Sequence, residues 1–291
     1  MTHKSQNVLT TRLGVLILVA WSLLIVSSCE NETLQTPTVQ DTNSRATSEM
    51  ELANMYYGKS DPTDCTFGYE GLEGPELWAN LCGDLWLDCD GNSQSPINIV
   101  TTTVLEDGDI NNININYNDS ATEIINTGTT VEFVYDVGSL ASLNNIDYNL
   151  IQFHFHTGSE HTIDGQRAPM EMHLVHQDPS TGLLAVIGVM FEEGESNEIL
   201  ETYLGDLPEL ANEEFISDEE FNVTELLPDD LDFYTYSGSL TTPACSEIVT
   251  WFVLQDPITA TANQLNRFKE IMGENYRPTQ ELNDRIVRTK S

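Results

Sequence analysis

Basic residues are scarce in this chain. Of its 291 residues, 11 are Lys or Arg and 47 are Asp or Glu, which gives a formal net charge of −36. Phosphate backbones and anionic membrane surfaces repel a protein of this charge, so no nucleic-acid partner is expected. Hydrophobic residues make up 40% of the chain, the usual fraction for a globular protein. The composition therefore predicts one large core with a solvated acidic surface.

Long hydrophobic runs are absent as well. The longest, over residues 13–26, is broken by Gly14 and Ser22 and is shorter than the roughly 20 residues of a membrane-spanning helix. Two basic residues precede it, and the sequence Val-Ser-Ser-Cys that ends at Cys29 resembles the lipobox of bacterial lipoproteins. We therefore predict a signal peptide over residues 1–29 and a lipid on Cys29, with a permanent membrane helix as the alternative.

Two segments follow the predicted signal peptide. Residues 30–55 are rich in Thr, Ser, Asn, Gln and Glu, which predicts a flexible tether. Residues 56–291 have a globular composition and form the predicted domain. The protein is thus expected to be exported and to contact a bacterial membrane only through its lipid; Glu30 after Cys29 favours the outer membrane.

The sequence contains no Cys-x-x-Cys motif, so a thiolate zinc site and a redox motif have little support. Five cysteines are present. If Cys29 carries lipid, then Cys65, Cys82, Cys89 and Cys245 remain as an even set that suits an oxidising compartment. Three pairings of these four cysteines are open.

Helical patterns are few, and strand patterns dominate. Short runs rich in β-branched or aromatic residues recur between turn signals, at residues 113–117, 123–126, 130–135, 149–156, 170–176, 183–191 and 248–254. Residues 260–272 have a helical spacing of apolar side chains. The pattern predicts a mainly β fold with a large, mostly antiparallel central sheet and a few short helices. The acidic segments 192–195 and 217–220 are interpreted as exposed loops or helix faces.

Histidine is rare but clustered. Of six histidines, one lies in the signal peptide and the other five lie between His154 and His176. On a strand, His154 and His156 share one face, and the next extended run brings His173 beside them. Three neutral imidazoles with an open fourth position are typical of a catalytic zinc site. The alternative is a cluster of core or surface histidines, each bonded to a neighbour.

Two polar residues support the metal interpretation. Gln152 and Glu171 each precede a proposed ligand by two residues and share its face of the strand. They are therefore placed to accept a hydrogen bond from the second ring nitrogen of that ligand. His161 and His176 follow a different spacing, and we assign them to packing or hydrogen bonding.

Several motifs together resemble the alpha-class carbonic anhydrases. The motifs are Gln152-Phe-His-Phe-His156, Ser159-Glu-His-Thr162, Glu171-Met-His-Leu-Val-His176 and Tyr236-Ser-Gly-Ser-Leu-Thr-Thr-Pro-Ala-Cys-Ser-Glu247 with Trp251, and shorter matches include Gln94-Ser-Pro-Ile-Asn98 and Asn275-Tyr-Arg-Pro-Thr-Gln280. The resemblance covers residues 67–285. It implies a zinc enzyme that hydrates carbon dioxide to bicarbonate, with His154, His156 and His173 as ligands.

The resemblance also implies roles for other residues. Thr241 would accept a hydrogen bond from zinc-bound hydroxide and donate one to Glu160. The apolar substrate pocket would be formed by Val175, Val186, Leu240, Val249 and Trp251, and the solvent network by Tyr69, Asn126 and Thr129. Thr129 stands where the fastest family members carry a shuttle histidine, so proton export is expected to depend on buffer, ordered water or a cleft carboxylate such as Glu132.

A disulfide between Cys89 and Cys245 is implied by extracellular relatives, which leaves Cys65 with Cys82 as the second pair. Two other functions remain as alternatives. One is a binding protein or adhesin that keeps the fold without the metal; the presence of all three histidines argues against it. The other is a zinc esterase, which would be at most a side activity.

Overall fold

The computed structural model describes residues 65–290. The predicted signal peptide, the tether and Cys29 lie outside the described residues. Within 65–290, no helix has the length and apolar character of a membrane span.

Strands form most of the regular secondary structure in the described residues, as the sequence predicts. The strands are β1 (Asn98–Ile99), β2 (Leu105–Asp107), β3 (Asn114–Asn116), β4 (Ser120–Asn126), β5 (Val131–Val134), β6 (Leu140–Leu143), β7 (Ile146–Thr157), β8 (Thr162–Ile163), β9 (Gln166–Arg167), β10 (Met170–Gln177), β11 (Leu184–Glu193), β12 (Glu214–Phe221), β13 (Phe233–Gly238), β14 (Val249–Leu254), β15 (Ile258–Ala260) and β16 (Arg288–Lys290). The helices are α1 (Trp78–Leu81), α2 (Glu198–Tyr203) and α3 (Ala262–Met272), and 3₁₀ turns span Gly71–Glu73, Gly83–Asp90, Thr101–Thr103 and Val223–Leu226.

Thirteen strands form one sheet in the order β12-β4-β5-β7-β10-β11-β14-β13-β16-β2, with β3, β6 and β15 paired off this path. Most pairs are antiparallel, and β11 pairs in parallel with both β14 and β15. Strands β1, β8 and β9 form a separate three-stranded sheet. The prediction of a large, mostly antiparallel sheet is confirmed.

The alternation of side chains along β7 separates the core from the functional face. Phe153 and Phe155 point into the main core, where both are fully buried. Phe153 stacks on Phe133 of β5 at a ring-centroid distance of 4.7 Å, and Phe155 packs on Phe268 of α3 at 4.7 Å. A slip of one residue would exchange the two faces, so these aromatic contacts fix the register that presents Gln152, His154 and His156 on the other side.

Helix α3 ends at the predicted residue, Met272, but begins at Ala262, because Ala260 still belongs to strand β15. Thr261 caps it in a capping box with Gln264, whose side chain accepts from the backbone N–H of Thr261. Leu265 and Phe268 are buried on its inner side. The helix predicted over residues 260–272 is thereby confirmed, and it supports β7 from the core side.

Two local predictions are wrong. Glu192 and Glu193 are exposed, but they end strand β11 rather than lying in a loop or a helix. Ser217 is half-buried and residues 218–220 are exposed, and all four belong to strand β12. This strand lies at the edge of the large sheet, and its pairing with β4 shifts register between Ser217 and Glu220. The irregularity removes the two-residue alternation that would have revealed the strand. Carboxylates on an edge strand also discourage pairing with another chain.

Candidate metal centre

Three histidines converge from two neighbouring strands. In the antiparallel pairing of β7 with β10, His154 lies opposite His173 and His156 lies opposite Glu171. One ring nitrogen from each histidine lies within 4.8 Å of the corresponding nitrogens of the other two. The ring centroids are 5.1 Å apart for His154 and His156, 5.3 Å for His154 and His173, and 4.6 Å for His156 and His173.

Each of these imidazoles uses one nitrogen in a hydrogen bond. His154 Nδ1 lies 2.9 Å from Gln152 Oε1, and His173 Nε2 lies 2.9 Å from Glu171 Oε1. Both acceptors are those that the strand alternation predicts. His156 Nδ1 lies 2.7 Å from the backbone oxygen of Asn275, a partner that the sequence did not indicate.

The remaining nitrogens are His154 Nε2, His156 Nε2 and His173 Nδ1. Burial lowers the pKa of His154 well below its ordinary value, and the two neighbouring imidazoles lower it further. Burial also lowers the pKa of His156, against the opposing effect of Glu160. Both rings are therefore neutral at pH 7. His156 Nε2 is buried and has no hydrogen-bond partner within the described part of the chain.

A buried ring nitrogen without a hydrogen-bond partner lowers the free energy of unfolding, and a metal ion bound to its lone pair would remove this cost. Three neutral nitrogen donors with their second nitrogens held by acceptors are the donor set that a catalytic zinc ion takes. The residues present thus fit zinc.

A second group of potential ligands, formed by His161, Glu171 and His173, is already hydrogen-bonded internally. Glu171 Oε1 accepts from His161 Nδ1 at 2.7 Å as well as from His173. His161 Nε2 lies 2.7 Å from the hydroxyl of Tyr236. Gly188 makes room for this carboxylate, because a Cβ there would lie 2.9 Å from Glu171 Oε1. This group supports the ligand His173 rather than forming a separate metal site.

Glu160 lies beside the histidines and is fully buried. Its Oε1 accepts from the backbone N–H of Arg277 at 2.7 Å, and its Oε2 lies 3.5 Å from His156 Nε2 and 3.9 Å from His173 Nδ1. Among the described residues Oε2 has no hydrogen-bond partner. The hydrogen bond from Thr241 that the resemblance implies is not formed here, and it stays a prediction for the metal-loaded site.

Arg277 joins this carboxylate to the N-terminal part of the domain. Its guanidinium is buried and donates to Gln94 Oε1 at 2.8 Å, to the backbone oxygen of Ser95 at 2.8 Å and to that of Cys89 at 2.9 Å. Burial lowers the pKa of Arg277 to about 10, so the group remains positively charged at neutral pH. The role of Arg277 was not recognised from the sequence, where it appeared only within a matching motif.

A cleft opens above the histidines. It is lined by Phe67, Tyr69, Thr127, Thr129, Thr130, Glu132, Gln152, His154, His156, His173, Val175, Val186, Leu240, Thr241, Thr242, Pro243 and Trp251. Thr241 and four of the five predicted pocket residues are therefore on its wall. Val249 is buried in the same apolar cluster but is not among the lining residues.

The three residues predicted for the solvent network do not all lie on the wall of the cleft. Tyr69 and Thr129 line the cleft, whereas Asn126 does not. The side chain of Asn126 donates to the backbone oxygen of Pro208 at 3.1 Å and accepts from the backbone N–H of Gly128 at 2.9 Å. Asn126 is therefore not on the wall of the cleft, since both ends of its amide hold the loop, and its place in the solvent network stays a prediction. Its neighbour Thr127 lines the cleft.

Both implied disulfides are present in the structure, Cys65–Cys82 and Cys89–Cys245. The second closes a sequence separation of 156 residues and ends four residues after Thr241. Gln94 Nε2 donates to the backbone oxygen of Cys245 at 3.1 Å, which adds a second link to this loop.

Comparisons with known proteins agree with this geometry. The family model described as eukaryotic-type carbonic anhydrase matches residues 73–291. A carbonic anhydrase of Nostoc sp. is 39% identical over 224 residues, which are 76% of this chain and 84% of the relative. One of Pectobacterium atrosepticum is 38% identical over 222 residues, 76% of this chain and 89% of the relative.

Solved structures show the same fold. The alpha-carbonic anhydrase of Thermovibrio ammonificans, in complex with the inhibitor sulfanilamide, has a TM-score of 0.74 and 37% identity, and the match covers 77% of this chain and 99% of that chain. A hyperthermostable carbonic anhydrase from a hydrothermal vent chimney has a TM-score of 0.74 and 38% identity, with coverage of 78% and 100%.

The mainly β fold and the three histidines that line one cleft place this protein among the carbonic anhydrases. This chain belongs to the eukaryotic-type, or alpha-class, carbonic anhydrase family.

Proposed function

We propose that the protein catalyses the reversible hydration of carbon dioxide to bicarbonate and a proton, with Zn²⁺ held by His154, His156 and His173. The observation that carries the proposal is the buried, unpartnered Nε2 of His156 among three imidazoles whose other nitrogens are held by acceptors. When bound, zinc supplies the Lewis acidity that makes water a nucleophile near neutral pH.

The walls of the cleft suit the proposed substrate. Val175, Val186, Leu240 and Trp251 form an apolar side, where an uncharged linear molecule loses no hydrogen bonds on binding. On the same wall, Thr241 is the proposed positioning group: its hydroxyl would donate a hydrogen bond to Glu160 Oε2, which has no other partner among the described residues, and accept a hydrogen bond from the nucleophile. This arrangement would orient the attacking lone pair toward the carbon atom.

Two measurements on the chain without its signal peptide test the proposal: bound zinc per chain and carbon dioxide hydration by stopped flow. The wild-type protein should bind one zinc ion and hydrate carbon dioxide, and His156→Ala should lose both properties. His176→Gln is the matched control, because His176 is buried against Tyr117 and Ala185 and lies outside the triad. Equal activity of the wild type and His156→Ala would refute the site assignment.

The same measurements separate the alternatives. A binding protein without catalysis would show neither zinc nor hydration in the wild type. A zinc esterase would hydrolyse an activated ester faster than it hydrates carbon dioxide. The three retained histidines and the narrow apolar wall favour hydration.

We also propose that the protein is exported and anchored through a lipid on Cys29. The two disulfides support an oxidising compartment. Mass spectrometry of the N-terminus should find an acylated Cys29, and Cys29→Ser should move the protein from the membrane fraction to the soluble fraction. An unmodified N-terminus in the membrane fraction would contradict the anchor.

A further inference from the structure

The three proposed ligands differ in how firmly their acceptors are fixed. The acceptor of His156 is a backbone carbonyl, and that of His173 is the carboxylate of Glu171. Neither group can turn into a donor while Glu171 is ionised. The acceptor of His154 is the side-chain amide of Gln152, which presents a donor instead if it rotates by half a turn. Of the three ligands, His154 is therefore the one whose acceptor must be oriented by a further group.

Glu132 supplies that group. Its Oε2 lies 3.0 Å from Gln152 Nε2, and the exposure of the two side chains is 9% and 2%. The register of β5 with β7 places Glu132 opposite His154 and Val134 opposite Gln152, so the two polar side chains are diagonal neighbours on the cleft face. Both line the cleft.

The direction of the hydrogen bonds follows from chemistry. Gln152 Nε2 donates to Glu132 Oε2, and a carboxylate oxygen accepts, so the NH₂ end of Gln152 faces Glu132. The carbonyl end of the amide then faces His154 Nδ1, at 2.9 Å. Because this carbonyl also only accepts, the hydrogen of a neutral His154 ring must sit on Nδ1, which leaves a lone pair on Nε2.

We propose that Glu132 is a positioning residue of the metal centre: by orienting the amide of Gln152, it selects the tautomer of His154 that offers Nε2 to the metal. The consequence for zinc binding rests on the proposed function, whereas the choice of tautomer does not. An amide at position 132 would lose this selection, because it can donate as well as accept.

The first test is the tautomer itself, read from the ¹⁵N resonances of the His154 ring in zinc-free protein at pH 7. Wild-type protein should show hydrogen on Nδ1, and Glu132→Gln should show a mixture of the two tautomers. Glu123→Gln is the matched control, since it removes a carboxylate from the adjacent strand β4, outside the cleft lining. It should behave as wild type.

A rescue variant separates positioning from folding effects. In Glu132→Gln/Gln152→Glu, a carboxylate faces His154 and an amide faces that carboxylate. The Nδ1–H tautomer should return, an outcome that a purely structural role of Glu132 does not predict.

The second test is the zinc dissociation constant from chelator competition. Glu132→Gln should raise it about tenfold, the lower end of the effect of removing outer partners of a metal ligand. Glu123→Gln should leave it within about twofold of wild type. If Glu132→Gln keeps the pure Nδ1–H tautomer and wild-type zinc affinity, the inference is wrong. If wild-type protein binds no zinc while Glu132→Gln still alters the tautomer, the positioning role stands and the proposed function fails.

Discussion

His156 Nδ1 donates to the backbone oxygen of Asn275 at 2.7 Å, across 119 positions of sequence. The side chain of Asn275 secures the same junction, because it accepts from the N–H of Thr157 at 2.7 Å and donates to the backbone oxygens of Thr129 and Phe155 at 2.9 and 3.0 Å. The strand β7, the loop between β4 and β5 and the segment after α3 thus share one buried amide.

Asn275→Ala should therefore destabilise the protein by about 2 kcal/mol or more, because the N–H of Thr157 and the backbone oxygen of Thr129 lose this partner and each unpaired buried group costs about 1–3 kcal/mol. Urea unfolding of the zinc-free protein measures this free energy. Asn283→Ala is the control: its exposed side chain also donates to a backbone oxygen, that of Asn92, and its loss should cost less than about 1 kcal/mol. Similar costs for both variants would contradict the assigned role.

The two disulfides should stabilise the protein unequally. With sequence separations of 156 and 17, the chain-entropy relation gives about 5 kcal/mol for Cys89–Cys245 and about 3 kcal/mol for Cys65–Cys82. We expect the serine pair at 89 and 245 to lower the unfolding free energy more than the pair at 65 and 82. The variant at 89 and 245 should keep its zinc affinity at 25 °C, since neither cysteine touches the triad. The prediction would be contradicted if the variant at 89 and 245 lost zinc affinity while its free energy of unfolding stayed that of the wild type.

Proton export should limit turnover. Thr129 lines the cleft, and its hydroxyl pairs with that of Thr127 at 3.2 Å, but a threonine does not exchange protons near pH 7. Within residues 65–290, the histidines outside the triad are His161 and His176, and both are fully buried. The maximal rate should therefore rise with buffer concentration, and Thr129→His should raise it about tenfold in dilute buffer. A rate that is independent of buffer, with no gain in Thr129→His, would refute the prediction.

His176 should make stability depend on pH. Burial lowers its pKa to about 4, against about 6.5 in an unfolded chain. Between these values the unfolded chain binds a proton that the folded protein does not, so the unfolding free energy falls as the pH falls from 6.5 to 4 and is unaffected above 6.5. In chelated protein, His176→Phe should reduce this slope by up to about 1.4 kcal/mol per pH unit. An unchanged slope in urea titrations would show that His176 does not control it.

The sequence predicted those parts of the site that depend on local periodicity. The alternation along β7 and β10 places His154, His156 and His173 on one face, with Gln152 and Glu171 as acceptors, because side chains two residues apart on a strand share a face. The same rule predicts most strands of the sheet and, with a helical period, α3.

The parts that depend on contacts between distant segments were not predictable in this way. The backbone oxygen of Asn275 has no side-chain signature, and nothing in the local pattern around Arg277 indicates that its amide reaches Glu160. The role of Asn126 rests on the resemblance alone, and the local pattern did not indicate that strand β4 ends at this residue and that Thr127 lines the cleft. The β12 strand was missed because its edge position and irregular register remove the alternation.

The buried guanidinium of Arg277 has a consequence for the order of assembly. Synthesis proceeds from the N-terminus, so the three histidines emerge about a hundred residues before the arginine that donates to Cys89, Gln94 and Ser95. Until these hydrogen bonds form, neither Glu160 nor His156 has its backbone partner from the 275–277 segment. A metal ion that arrived early would meet ligands not yet held in place, so we expect tight metal binding only after this segment has folded.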